Sequence, residues 1–415
     1  MCEVTQLGEK CLLIEVFERI RILFDCCELF PGSSSLDIST IDVILLSGAT
    51  FGDSLLTFFS SRNEEETTRR STTRRNKFQG RIFATEPTAF VWKRLMNEKY
   101  HEKEKEINTI MTMMTPVHNS EMIDVLGEMK IIAMNNGNEI GGTYWIVETN
   151  SERIVIFGDL SIEKSRYPLP FFDEKLEKDG DDDEREEKEK EPTLKGADVV
   201  IFAHQNTEPK EKSMEQSLQE FSKAVIGTVG SGGSVVIPCT PWGIMIDAIE
   251  QLWTQQLIIS GGSGMRKIPI FIVSEAAHDI MEFTTVCGEW VEKTRAEKVF
   301  SLMEAFAHTT MIKSGILKVF SSACGNITGS SSFGSIFKEP CIVFASHSNC
   351  QSGDVVHFIE LFGSNSKNLI ILIGLLQKKI FFFSHNSQST FFSLFRATIH
   401  KTRHFKTIWN NSMQS

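Results

Sequence analysis

Gly230-Ser-Gly-Gly-Ser-Val-Val-Ile-Pro-Cys-Thr-Pro-Trp-Gly-Ile-Met-Ile-Asp-Ala-Ile-Glu-Gln-Leu-Trp253 holds one repeat unit of the architecture. The opening four residues stop the helix read over 218–229, because glycine reaches the positive φ that helix ends favour. They lack the GK[ST] of a phosphate-binding loop, so a helix stop is the reading. Residues 234–239 are apolar and β-branched, which predicts a buried strand, and 244–253 carry apolar residues at helical spacing.

The same unit recurs to either side. Strands are predicted at 41–46, 81–85, 153–157, 197–202, 269–274, 340–346 and 368–373, and helices at 88–98 and 354–362. Such alternation predicts α/β layers with a largely parallel sheet. At 415 residues, with 41% hydrophobic and 23% charged, the chain is long enough for two units with buried cores. A net charge of −11 repels a phosphate backbone, and no Lys/Arg stripe offsets it. RNA or DNA gripped by this chain alone is therefore not expected.

Nine cysteines are scattered with no CxxC pair, which argues against a zinc ribbon or a dithiol redox site and for buried free thiols. The N-terminus lacks a basic, apolar leader, and the run at 369–376 is far below the ~20 residues of a spanning helix. The expectation is an intracellular, soluble chain. Three segments break the pattern. Residues 62–77 read as a solvated loop, and the charge run within 172–192 as a disordered insertion. No Asp or Glu follows Glu360, so residues 374–415 are expected to stand apart from the fold; a basic tail for an anionic partner is the alternative.

Residues 36–47, 80–88, 234–243, 339–347 and 351–363, taken in order, resemble metallo-β-lactamase/β-CASP nucleases, in the inactive form found within the nuclear Integrator complex. The resemblance covers roughly residues 8–372. It implies incomplete metallo-β-lactamase-like αββα layers over 1–205, with an inserted β-CASP α/β domain over 206–373. Active members hold two zinc ions and a bridging hydroxide, which need imidazole and carboxylate ligands. The family's first ligand cluster is HxHxDH, directly after the strand that ends here at Ser47. This chain reads Gly48-Ala-Thr50-Phe-Gly-Asp53 there, with no histidine.

The family's GHxLG turn appears as Gly137-Asn138-Glu139-Ile140-Gly141, so an amide stands at the ligand position. The bridging aspartate matches Asp159, an earlier structural aspartate matches Asp25, and an acidic position falls on Ala203 beside His204. No catalytic residue, metal or cofactor is therefore expected, the degenerate positions being Asp25, Gly48, Thr50, Asp53, Asn138, Asp159 and Ala203. Asp25 and Asp159 are read as carboxylates that fix loops by accepting backbone N–H groups. His204, His278 and His347 are read as isolated imidazoles. The rival enzyme reading is a hydrolase with a rebuilt one-metal site on Asp53, Asp159 and His204.

The resemblance implies a nuclear, heteromeric scaffold that pairs with a catalytic Integrator paralogue and other Integrator subunits. It would support small nuclear RNA 3′-end processing, reach RNA only through the complex and touch no membrane. Nothing after residue 373 resembles the family's closing strands or its C-terminal dimerisation domain, so weak pairing is expected of this form. The alternatives are an inactive subunit of the cleavage and polyadenylation specificity factor, or a truncated product without function.

Overall fold

The computed structural model describes residues 2–8, 10–17, 19–27, 36–59, 78–164, 166–171, 194, 196–203, 212–260, 268–323, 333–373, 380–383 and 392–393. The loop read at 62–77, the insertion at 172–192 and most of 374–415 lie outside the described residues.

The first sheet follows chain order: β1 (Cys2–Gln6), β2 (Leu12–Val16), β3 (Ile20–Phe24), β4 (Val43–Leu45), β5 (Arg81–Thr85) and β6 (Met114–Val117). Strands β1 to β3 pair antiparallel, and β3 to β6 pair parallel. The parallel crossovers carry α1 (Leu55–Phe59), α2 (Glu86–Lys99) and α3 (Glu104–Met113). Helix α2 starts where it does because the Thr85 hydroxyl accepts the Thr88 N–H, with Glu86 and Pro87 in the first turn.

The second sheet runs β11-β10-β9-β8-β7, built from β7 (Met122–Val125), β8 (Met129–Asn135), β9 (Thr143–Thr149), β10 (Arg153–Phe157) and β11 (Val199–Phe202). Four of these are an antiparallel meander, and only β11 joins in parallel. This departs from the largely parallel expectation, and the strands within 114–149 are additional to those the sequence predicts. The meander turns at Leu126 and Gly127, both at positive φ, which is the twist a tight hairpin needs.

Side-chain alternation divides the layers. Ile14, Ile22, Phe24, Val43, Leu45 and Phe83 face the second sheet and meet Ile131, Trp145, Val147 and Ile154. Their neighbours Leu13, Leu23, Ile44 and Ile82 point to the other face, against Trp92 and Val91 of α2.

The third sheet runs β14-β13-β15-β12-β16-β17-β18. Its elements are α4 (Met214–Gly230), β12 (Val235–Pro238), α5 (Ile244–Ser260), β13 (Ile270–Val273), α6 (Ala277–Thr284), α7 (Lys293–Phe300) and α8 (Ala307–Lys313). They continue with β14 (Leu317–Phe320), α9 (Phe333–Ile336), β15 (Ile342–Ala345), α10 (Asp354–Gly363) and β16 (Leu369–Ile373). Strands β12 to β16 are parallel throughout, as expected of a β-rich apolar run separated by helices. Two short strands, β17 (Ile380–Phe383) and β18 (Phe392–Ser393), extend this sheet antiparallel past β16.

One continuous hydrophobic cluster joins α2 to α5, α6 and the third sheet, through residues such as Trp92, Ile246, Ile280 and Phe344. Phe90 of α2 stacks on Phe283 of α6 at 4.0 Å, and Arg94 pairs with Asp279 at 3.0 Å. Among the described residues no helix is long and apolar enough to cross a membrane.

Candidate functional site

A cleft of about 620 Å³ lies where the carboxyl ends of strands from both parts of the chain converge. Asp159 beyond β10, Thr50 and Asp53 beyond β4, and Cys27 beyond β3 line one side. Cys239 beyond β12, Ser346 and His347 beyond β15, and Ile373 at the end of β16 line the other. Carboxyl ends of parallel strands are where α/β sheets place their sites, because the loops there are free of core packing.

Asp25 sits beneath the cleft. Its carboxyl accepts the Ser47 N–H and the Ser47 hydroxyl, each at 2.7 Å, which ties the end of β3 to the loop after β4. Burial pushes the carboxyl up to about 8, against the opposing effect of the Ser47 hydrogen bonds and Lys10. Gly158 has to be glycine here, since a Cβ would lie 2.5 Å from the Ser47 hydroxyl.

Asp159 is held by Lys10, whose Nζ donates to Oδ2 at 2.8 Å. The same ammonium lies 4.5 Å from the centre of the Phe51 ring. Glu139 comes in from the turn between β8 and β9 and accepts the Ala49 N–H at 3.1 Å. Burial pushes Glu139 up to about 7, against the Ala49 hydrogen bond. Its Oε1 lies 2.6 Å from the place a Cβ on Gly48 would take. The Glu139 carboxyl therefore fills the space of a side chain at position 48.

The turn itself is glycine-dependent. Gly137 and Gly141 have φ of +71° and +74°, and a Cβ on Gly141 would lie 2.6 Å from Pro87. Behind the turn, Arg166 makes a buried pair with Asp247 of α5, Nη2 to Oδ2 at 2.6 Å. Its Nη1 donates to the Gly137 carbonyl at 3.4 Å and to Asn138 Oδ1 at 3.3 Å. Tyr167 donates to the Gly243 carbonyl at 2.9 Å. These bonds join the turn, the segment after β10 and the start of α5 into one polar network.

The structure thus brings Thr50, Asp53 and Asp159 to one cleft, with Gly48 buried against Glu139. Asp53 is engaged by Lys99 rather than by Asp159. Asn138 lies behind the turn on Arg166, and Ala203 is buried beyond β11 with its N–H on the Phe157 carbonyl. His278 is exposed near Asp279 and Glu282, and His204 lies outside the described residues. Sequence reasoning missed Lys10, Arg166 and Asp247. Glu139 belongs to the turn motif, whose ligand position falls on its neighbour Asn138.

The donor set does not fit the family's two-zinc group. Gly48 and Thr50 offer no imidazole, an ammonium occupies Asp159, and a carboxyl fills the space beside Gly48. Among the described residues no group of three or more His, Cys, Asp or Glu could hold a metal ion. Gly48→His is expected to lower stability by about 1–3 kcal/mol, since the new Cβ meets Glu139. Adding Glu139→Ala should recover part of that loss in urea unfolding; an undiminished loss would place the clash elsewhere.

Two facing sheets with helices on the first, followed by a parallel α/β unit that shares the cleft, define a metallo-β-lactamase-type fold with a β-CASP insertion. Residues 245–379 match the Beta-Casp domain model. The chain is similar to Integrator complex subunit 9 of Xenopus laevis, at 25% identity over 380 residues, covering 82% of this chain and 51% of that protein. The Integrator complex subunit 9 homolog of Dictyostelium discoideum is 24% identical over 393 residues, covering 81% of this chain and 48% of its own length. An RNase J-like protein of Methanocaldococcus jannaschii is 24% identical over 383 residues, covering 89% of this chain and 75% of that one. The chain spans about half the length of the Integrator relatives it matches.

Proposed function

We propose that this chain is a non-catalytic, nuclease-like scaffold subunit of the Integrator complex, acting in the nucleus. It would support small nuclear RNA 3′-end processing by holding a catalytic paralogue and meeting other Integrator subunits. RNA would be reached only through that assembly, in keeping with a net charge of −11. The Integrator subunit 9 relatives support membership, and the Beta-Casp match supports reading 206–373 as the inserted domain beside a metallo-β-lactamase-like unit over 1–205.

The observation that carries the non-catalytic reading is the Lys10 ammonium on Asp159, in a loop set where Gly48 and Thr50 replace imidazoles. A hydrolytic two-metal centre needs that carboxylate as a ligand and a fixed set of lone pairs around it. What the cleft retains is shape. Its two sides are locked together by a shared core and by the Arg166–Asp247 pair, which suits a surface that a partner reads as a rigid body.

Two measurements test the proposal. Elemental analysis of purified protein is expected to find no stoichiometric zinc; one or more zinc per chain, lost on Asp159→Ala, would overturn the non-catalytic reading. Capture of tagged protein from nuclear extract is expected to recover Integrator subunits. Recovery of cleavage and polyadenylation subunits in their place would overturn the assignment.

A further inference from the structure

We infer that Lys10 is this chain's built-in replacement for the family's metal ions: a fixed internal cation that neutralises Asp159 and closes the site to metals. The inference deepens the non-catalytic reading and rests on it for the family role of Asp159. Three carboxyls converge from separate loops. Asp25 follows β3, Glu139 lies between β8 and β9, and Asp159 follows β10. All three are buried or nearly so, and Asp159 is the one whose carboxylate a cation contacts.

In the active family that cation is zinc. Here the Lys10 side chain, 9% exposed, reaches the Asp159 carboxylate and rests on Phe51. An ammonium is a compact point charge with three donors, so it can serve an acidic pocket without the fixed lone-pair geometry that a metal demands. A zinc ion would have to approach the same oxygen to roughly 2.0–2.2 Å, against both the ammonium's volume and its charge. Glu139 completes the exchange, because its carboxyl takes the space left by the missing side chain at Gly48. The histidine-free loop and the lysine therefore fit one another within one site. Returning histidines alone would not reopen the site.

Lys10→Met tests this, since it keeps the apolar stem and removes the charge. Its thermal midpoint is expected to fall by roughly 5 °C or more, as for a buried pair that loses one partner. Adding Asp159→Asn removes the stranded carboxylate and is expected to return more than half of that loss. Equal stability of Lys10→Met and the parent would overturn the inference, and so would a double variant as unstable as the single one. If Lys10→Met does not fold, folding of the double variant counts as the same rescue, and failure of both overturns it. The fates of the two readings separate cleanly. A failed rescue in protein free of zinc sinks the role of Lys10 alone, whereas zinc that raises the parent's midpoint through Asp159 sinks the non-catalytic reading as well.

Discussion

Arg166→Leu is expected to cost about 3–5 kcal/mol of folding stability, because it strands a carboxylate that the fold has taken out of water. The Arg166 and Asp247 side chains are 3% and 5% exposed, with the guanidinium on Asp247 through both Nε and Nη2. Burial works against the arginine's charge, and the Asp247 carboxylate more than offsets it. Without the guanidinium, Asp247 keeps its burial and loses its charge partner. The Gly137 carbonyl and Asn138 Oδ1 lose donors at the same time. Combining Arg166→Leu with Asp247→Leu is expected to be milder than the single change, because no lone charge remains buried. Urea unfolding at unchanged slope reads the difference. If the double variant is the worse of the two, the pair is worth more than its desolvation and the argument fails.

Stability is expected to fall as pH rises through the neutral range, the reverse of the usual trend for carboxyls held in salt bridges. Burial pushes Asp25 up to about 8 and Glu139 up to about 7, while unfolded carboxyls titrate near ~4. Between those values the native state binds more protons than the unfolded one, so the slope of stability with pH is negative. The contribution is fully present below the unfolded value and is gone once pH exceeds the folded one. For Asp25 the full span is on the order of 5–6 kcal/mol at most. On the acid side the buried His308 acts in the opposite sense. Burial pushes it down to about 4, so stability falls as pH drops from the imidazole's ordinary value toward that point. The informative window is therefore pH 6.5 to 8.5, roughly the gap between an unperturbed histidine and the raised carboxyls. Asp25→Asn keeps an acceptor for Ser47 and should flatten the decline there; an unchanged slope would remove Asp25 as its source.

Much of the scaffold was legible in the sequence because its signals are local. The runs at 81–85 and 153–157 are strands over those same residues, and helices start at Ile244 and Asp354 as their apolar spacing indicates. The antiparallel meander over 122–149 was not legible. Its strands alternate buried and exposed positions unevenly, with Lys130 set among buried Met129, Ile131 and Ile132, so neither the period of a strand nor that of a helix stands out. The loop positions of the site were reached through the resemblance, whereas the charges that govern it were not. Lys10 meets Asp159 across 149 residues, and Arg166 meets Asp247 across 81. A lone charged residue beside a strand looks like surface until the tertiary fold supplies its partner.

The strand-end loops that line the cleft are places where a residue can change while the architecture stays. Gly48, Thr50 and Asn138 all lie past the ends of strands, outside the two-sheet core of Ile14, Phe24, Leu45, Phe83 and Trp145. Replacing a ligand at such a position alters a reaction without disturbing a packing layer. Selection for assembly and selection for catalysis act on separate residues in a fold of this kind. A lineage can therefore give up the second by a few loop changes, and any surface recognised from outside keeps its contour.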